Sequence, residues 1–270
     1  MYPQSRVLII AGSDSSGGAG IQADIKTVTL LGSYAMTAVT AVTAQNTMGV
    51  KKITPIPKKN VQKQITMILD DIGADAVKIG MLHNVSIIKC VHHILKKYNL
   101  KNIVIDPVMV AKGGARLINN NSIAYLKKLL LPLAKLITPN IPEAEVLSGC
   151  SISNKEDMIQ AAKKIINMGP KNVLLKGGHL KSKMIFDILA TKKEIKVFPK
   201  RKIITKNTHG TGCTLSSALA TCLSQKKSIF KSCKISLKYV DRAITYAPGY
   251  GKGFGPLNHL VLLNSRNTNV

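Results

Sequence analysis

The sequence predicts an α/β fold, a single layered domain of βα units around a mainly parallel sheet. Three observations carry that reading. Short apolar runs bounded by turn residues alternate with stretches of helical periodicity from one end of the chain to the other. A chain of 270 residues with a 45% hydrophobic fraction can fill one sizeable core. No linker, internal repeat or biased segment interrupts it, so residues 1–270 read as one domain.

The elements follow in order. Val7 to Ala11 predicts a buried strand, followed by Gly12-Ser13-Asp14-Ser15-Ser16-Gly17-Gly18-Ala19-Gly20 and a helix from about Ile21 to Leu31. Met36 to Ala44, rich in Val and Thr, predicts the second strand. Val61, Ile65, Ile68, Leu69 and Ile72 recur at helical spacing, as do Ile87, Ile88, Val91, Ile94 and Leu95, with a strand from Ala76 to Ile79 between the two helices. Asn102 to Asp106 is an apolar run ending on an acid before Pro107, where the chain turns, and Leu136-Ile137-Thr138 repeats the arrangement before Pro139-Asn140-Ile141-Pro142-Glu143. Ser153 with Glu156 three residues later predicts a capping box that opens a helix burying Met158, Ala162, Ile165 and Ile166. Val173 to Lys176 predicts a core strand ending in Gly177-Gly178-His179, and Met184 to Ala190 with Glu194 to Phe198 reads as a hairpin. Two helices close the chain, about Thr211 to Ser224 and Ile229 to Tyr246, the second with an apolar stripe of Phe230, Cys233, Leu237, Val240 and Ile244.

Lys and Arg number 39 against 13 Asp and Glu, a net charge of +26 that invites a nucleic-acid reading. Two facts weaken it. There is no Trp and aromatics are only 4%, so stacking platforms for bases are scarce. Lysine pairs such as Lys51-Lys52, Lys96-Lys97 and Lys163-Lys164 are scattered where solvated helix faces and loops should lie, so no specific nucleic-acid partner is expected. Five cysteines without a C-x-x-C pair argue for reduced thiols and a cytoplasmic protein. Val7 to Ala11 is too brief for a signal-peptide core, and Leu129 to Ile137 is broken by Pro132 and Lys135, so no membrane span is expected.

Two glycine-rich segments carry candidate chemistry. The first, Gly12 to Gly20, joins a strand to a helix, where backbone amides and the helix dipole can hold an anion. It has neither G-x-G-x-x-G nor G-x-x-x-x-G-K-[ST] spacing, and a sharp turn over the strand ends accounts for the glycines equally well. Asp24, one turn into the following helix, suits the helix dipole. The second, Asn207-Thr208-His209-Gly210-Thr211-Gly212-Cys213-Thr214, stands directly before a helix and predicts a nest of inward N–H groups. Phosphoryl transfer needs such a set of preorganised donors, because charge spreads over the oxygens of the transferring group. Cys213 in the first helical turn is either a thiol of lowered pKa or a small helix-facing residue.

Seven blocks, in this order, closely resemble hydroxymethylpyrimidine/phosphomethylpyrimidine kinases, the thiamine-biosynthetic kinases of the ribokinase superfamily. They are Ala11 to Asp24, Thr43-Ala44-Gln45-Asn46-Thr47, Lys78-Ile79-Gly80-Met81-Leu82, Asp106-Pro107-Val108-Met109, Thr138 to Ala144, Lys176-Gly177-Gly178-His179 and Asn207 to Cys213. The resemblance runs from about residue 7 to about residue 256, where Gly251-Lys252-Gly253-Phe254-Gly255-Pro256 is similar to the family's closing motif. It implies a ribokinase-like three-layer sandwich, with helices on both faces of a central mostly parallel sheet and a small strand lid. It also implies an ATP- and Mg-dependent kinase that phosphorylates 4-amino-5-hydroxymethyl-2-methylpyrimidine and then its monophosphate. Length points to the stand-alone form, without an appended synthase or thiaminase-like domain, and a homodimer is expected.

Roles follow position by position from the resemblance. Gln45 and Asp24 match the residues that hydrogen-bond the aminopyrimidine ring, Met81 and Val108 match its apolar walls, and Gly12 belongs with them. Gly210, Thr211, Gly212 and Cys213 match the anion hole, with Cys213 where sugar kinases carry a catalytic aspartate. Asn140 and Glu143 match an N-x-x-E motif linked to Mg²⁺ and phosphate, Asp106 an acid near the metal, Lys176 a cation reaching the ATP phosphates, and Thr208 joins the phosphate-binding set. Each has a plainer reading: Lys176 as a strand-end lysine in solvent, Glu143 as a first-turn complement to the dipole. His179 and His209 read as hydrogen-bonded turn residues, His83, His92 and His93 as surface residues, and Met36 and Met48 as core. A pyridoxal kinase is the alternative within the same fold, and a basic nucleic-acid-binding protein the alternative from another class.

Overall fold

Val7, Ile9 and Ala11 pack to one side of the sheet and Leu8 and Ile10 to the other, so the first strand, β1 (Arg6–Asp14), is buried on both faces. The computed structural model describes residues 2–110, 114, 117–180 and 182–263, so the ends of the predicted domain, residue 1 and residues 264–270, lie outside it. Among the described residues nine strands form one sheet in the order β3-β2-β1-β4-β5-β6-β7-β8-β9. Parallel to β1 run β2 (Tyr34–Asn46), β4 (Ala76–Ile79), β5 (Ile103–Ile105), β6 (Leu136–Ile137) and β7 (Asn172–Leu175). The antiparallel strands are β3 (Gly49–Pro55) on one edge and the hairpin β8 (Met184–Thr191) with β9 (Ile195–Arg201) on the other.

Helices cover both faces. On one, α1 (Gly20–Leu30), α7 (Thr211–Ser224) and α8 (Ile229–Thr245) bury Ile21, Val28, Leu215, Leu219, Cys233 and Leu237 against Val7 and Ile9. On the other, α2 (Lys58–Asp71), α3 (Val85–Lys97), α4 (Asn120–Tyr125), α5 (Ile141–Ser148) and α6 (Lys155–Ile166) bury Ile65, Ile88, Ile123, Leu147 and Ile165 against Leu8 and Ile10. The predicted sandwich is the observed one. No helix among the described residues is long and apolar enough to cross a membrane.

Several local expectations need correction. Lys51 and Lys52 lie in β3, which the sequence left unassigned because this edge strand is largely exposed and lacks apolar alternation. The cap of α6 is Asn154, whose side chain accepts from the Asp157 N–H, while Ser153 donates to the Asp157 carboxylate at 2.6 Å; the predicted box was one residue early. Met48 is 68% exposed at the β2–β3 tip and so is not core, and Phe230 is 43% exposed, stacked on Phe198 at 5.6 Å.

The strand lid is the β2–β3 hairpin. β2 continues to Asn46 beyond the end of β1 at Asp14, and its tip meets the glycine-rich closing segment: the Phe254 N–H donates to Thr47 O at 2.8 Å and the Gly253 N–H to Thr47 Oγ1 at 3.2 Å.

Candidate active site

The chain leaves β1 for β2 on one side and reaches β4 on the other, so the strand order switches direction at β1. Crevices at the carboxyl ends of strands at such a point are where open α/β sheets hold ligands. The first glycine-rich segment begins inside β1, and the Asp14 side chain organises it. Its carboxylate accepts from Ser16 N–H at 2.9 Å, Ser16 Oγ at 2.7 Å, Ala19 N–H at 2.8 Å and the His209 ring at 2.7 Å. Burial pushes this carboxyl up, but the His209 and Ser16 bonds outweigh it and hold it at about 2. The same bond ties the first glycine segment to the second, for His209 precedes Gly210. Gly210 has φ of 82°, and a Cβ there would stand 1.8 Å from Gly18 O, so only glycine lets the two loops touch. Neither Asp14 nor His209 was assigned a site role from sequence. The pairing of an acid at position 14 with a histidine at 209 leaves no local spacing signal.

Gly12, Gln45, Met81 and Val108 converge at the carboxyl ends of β1, β2, β4 and β5. Met81, Ala41 and Leu117 form a small apolar cluster separate from the main cores, with Val108 and Ile53 partly buried against it. A Cβ on Gly12 would meet Met81 Cε at 2.4 Å, so the missing side chain makes room for that wall. Gln45 is half-buried beside it, its amide within reach of Thr43 Oγ1 at 3.1 Å and His209 Nε2 at 3.4 Å. Asp24 is not in this group. It is fully buried between sheet and helices, 2.7 Å from Lys78 Nζ and 2.7 Å from Ser217 Oγ, so the expected contact with a ring fails for want of any exposed atom.

The second glycine segment forms the amino end of α7, with Gly210 as its cap and Thr211, Gly212 and Cys213 in the first turn. Thr208 stands just before it and its carbonyl accepts from Thr211 Oγ1 at 2.8 Å. Opposite lie Asp106 and Lys176, each just past the carboxyl end of a strand, and Glu143 in the first turn of α5. Lys176 Nζ is 3.2 Å from Asp106 Oδ1, and a Cβ on Gly212 would lie 3.4 Å from that Nζ and 3.2 Å from Asp106 Oδ2. Burial opposes the charge of Lys176, yet Asp106 and Glu143 raise its pKa and keep it cationic. Asn140 and Glu143 are the capping box of α5: Asn140 Oδ1 accepts from the Glu143 N–H at 2.9 Å, and the Glu143 carboxylate accepts from the Asn140 N–H at 2.8 Å. Burial, with the charge of Asp106, pushes Glu143 up to about 7 against the pull of Lys176. Among the described residues no group of three or more His, Cys, Asp or Glu makes a ready metal cage. Two neighbouring acids, one of them destabilised as an anion, are nonetheless the donor set that suits a hard dication completed by phosphate oxygens and water.

Cys213 reverses an expectation. Burial pushes its thiol up to about 12, with Asp24 and Asp106 adding to the rise, and neither Lys78 nor the Gly20 N–H offsets it. At rest it is a neutral thiol. Beneath it Lys78, 0% exposed, stays charged: burial works against it, but Asp24, Cys213 and Asp106 raise its pKa. The sequence offered no site role for this lysine.

The family model described as phosphomethylpyrimidine kinase matches residues 14–258 of the chain. A thiamine biosynthesis bifunctional protein of Geobacter sulfurreducens is 48% identical over 260 residues, covering 96% of this chain and 53% of that protein, so the chain spans about half of that relative's length. A hydroxymethylpyrimidine/phosphomethylpyrimidine kinase of Bacillus subtilis is 43% identical over 265 residues, covering 97% of this chain and 98% of that one. Among solved structures, a phosphomethylpyrimidine kinase of Clostridium difficile superposes with a TM-score of 0.80 at 45% identity, over 89% of this chain and 99% of that one. An ADP complex of Bacillus subtilis pyridoxal kinase superposes with a TM-score of 0.89 at 37% identity, over 96% of this chain and 99% of that one.

Proposed function

The chain belongs to the phosphomethylpyrimidine kinase family, and on that premise we propose that one site carries both of its phosphorylations. The protein is an ATP-dependent kinase of thiamine biosynthesis. It phosphorylates 4-amino-5-hydroxymethyl-2-methylpyrimidine and then the monophosphate. What supports the one-site reading is that the apolar group of Met81 and Val108 with Gly12, and the amino end of α7 with Lys176 Nζ 3.4 Å from a Cβ on Gly212, both lie at the carboxyl ends of neighbouring strands of one sheet.

The aminopyrimidine ring lies between Met81 and Val108 over Gly12, with Gln45 at its polar edge. The N–H groups of Gly210 to Cys213 hold the transferring phosphoryl group, and Lys176, Asn140 and Thr208 hold the donor phosphates. Cys213 takes the hydroxyl proton in the first step, which requires its thiol to ionise against its burial. In the second step the acceptor is a phosphate oxygen, already anionic, and neutralisation by Lys176 matters more than deprotonation. Mg²⁺, held by Asp106 and Glu143 with the nucleotide's phosphates, would supply further neutralisation of charge. The enzyme works in the cytoplasm as a homodimer, and its partners are ATP and the pyrimidine.

A pyridoxal kinase is the second reading, favoured by the backbone match to the Bacillus pyridoxal kinase; the higher identity to pyrimidine kinases favours the first. The test is a coupled assay with ATP and Mg²⁺ offered the pyrimidine, its monophosphate and pyridoxal in turn. Turnover of the first two is expected. Efficient pyridoxal turnover with no pyrimidine turnover would overturn the reading.

A further inference from the structure

We propose that Thr43 and the Asp14-bound His209 hold the Gln45 amide with its oxygen toward His209 and its nitrogen toward Thr43, and so decide which way round the ring enters the pocket. The inference begins with two protons that are already committed. Thr43 Oγ1 donates to Ser13 O at 2.8 Å, so its single proton is used and it can only accept at its other contact, the Gln45 amide at 3.1 Å. His209 Nε2 lies 2.7 Å from Asp14 Oδ2, and an ionised carboxylate only accepts, so Nε2 carries a proton. The same nitrogen lies 3.4 Å from the other terminal atom of the amide.

With Oε1 toward Thr43 and Nε2 toward His209, the hydroxyl proton is demanded twice and two N–H donors confront each other. A half-turn of the amide removes both conflicts, because its oxygen and nitrogen exchange places at almost no cost in shape. Nε2 then donates to Thr43 Oγ1, and Oε1 shares the His209 proton with Asp14. The chain of donors then runs without a break from His209, held by the accepting Asp14, through Gln45 and Thr43 to the Ser13 carbonyl.

The consequence rests on the proposed pyrimidine substrate. After these bonds the amide keeps one lone pair at the His209 end and one N–H at the Thr43 end for a ligand. In the aminopyrimidine the exocyclic amine, a donor, sits between a ring nitrogen, an acceptor, and the carbon bearing the hydroxymethyl group. Pairing amine with Oε1 and ring nitrogen with Nε2–H therefore puts the hydroxymethyl group on the His209 side, next to Gly210 to Cys213. The opposite amide would send it toward Thr43, away from the anion hole. His209 and Thr43 are positioning residues for specificity, acting through Gln45.

The test is a double-mutant cycle. His209→Leu and Thr43→Val are each expected to raise the pyrimidine KM about 5- to 100-fold, the range for an orphaned polar group in a dry pocket, and to lower the preference for pyrimidine over pyridoxal. The KM for ATP should move less than about twofold, and His209→Gln, which restores an N–H near the same place, should recover most of the loss. In a Gln45→Leu background neither substitution should raise the pyrimidine KM further, although His209→Leu, which also unties the two glycine segments, should lower the melting temperature in either background. A further equal loss there would show that His209 and Thr43 act on the loops and would overturn the proposal. A second measurement needs no substrate: in ¹⁵N-labelled protein the Gln45 amide protons should show nuclear Overhauser contacts to the Thr43 methyl. Contacts to the His209 ring instead would refute the orientation, even in a protein whose wild type failed to use the pyrimidine.

Discussion

Gly210→Ala tests whether the two glycine-rich segments must touch for the site to exist. The residue has φ of 82°, where an L side chain costs on the order of 1–3 kcal/mol. The larger effect is steric. The new methyl would stand 1.8 Å from Gly18 O, a backbone atom that cannot swing aside, and such contacts essentially never fall below 3.0 Å. The loops must part by more than about 1 Å, and a misplacement of that size at a reacting group costs about 10²-fold. We expect kcat/KM for the first phosphorylation to fall about 10²- to 10³-fold and the melting temperature to drop by roughly 2–10 °C. Gly149→Ala is the control, because Gly149 has φ of 70° with nothing within 4 Å of its Cβ position. It should show the conformational cost with normal kcat. The assay is steady-state phosphorylation beside thermal melts of both variants. If Gly210→Ala kept kcat/KM within about threefold of wild type, or melted no lower than Gly149→Ala, contact between the loops would not be what forms the site.

Cys213→Ala should lower kcat for the hydroxymethyl substrate by about 10²- to 10⁴-fold while sparing the second phosphorylation. Because burial pushes the thiol up to about 12, the active thiolate fraction grows about tenfold per pH unit below that value. The wild-type first step should thus still be rising above pH 9, and a flat alkaline profile would exclude the thiolate. Lys176→Ala should damage both phosphorylations, since the donor phosphates are common to them; single-turnover assays that found only the first step impaired would require two sites. Lys78→Met should cost about 3–5 kcal/mol by leaving Asp24 buried without its partner, and the double variant with Asp24→Leu should melt higher than the single one. Equal melting of the two would show that the charge pair is not what the single change disrupts.

The sandwich was legible because most strands are buried on both faces and read as continuous apolar runs, Val7 to Ala11 and Val173 to Leu175 among them. β3 was not, for its Lys51-Lys52 pair faces water on an edge. The place of the second glycine segment at the amino end of α7 was readable from two glycines before a helix and needed no tertiary information. Asp24 misled for a physical reason. A carboxylate one turn into a helix normally looks outward, and it takes Lys78, 54 residues on, and Ser217, 193 residues on, each at 2.7 Å, to hold it inward. Cys213 misled in the same way, since proximity to a helix dipole predicts a low pKa, whereas desolvation of the thiol, with the charges of Asp24 and Asp106, outweighs it.

The buried charges near α7 bear on why so basic a chain suits an anionic substrate. Two lysines, Lys78 and Lys176, share the enclosure with three acids, Asp24, Asp106 and Glu143, and each lysine is within 3.2 Å of a carboxylate. Side chains alone therefore do not make this interior positive before a nucleotide arrives. In the proposed site the attraction for phosphate would come instead from the N–H groups at the start of α7, which has no side-chain cap, at short range, and from the field of the exposed lysines behind a net charge of +26 at long range. These two sources separate by their response to salt. Surface charge is screened within about 8 Å at physiological ionic strength, while the enclosed amides are not. On the proposed site the scattered lysines would raise the rate at which anions arrive, and the fixed amides would decide what stays.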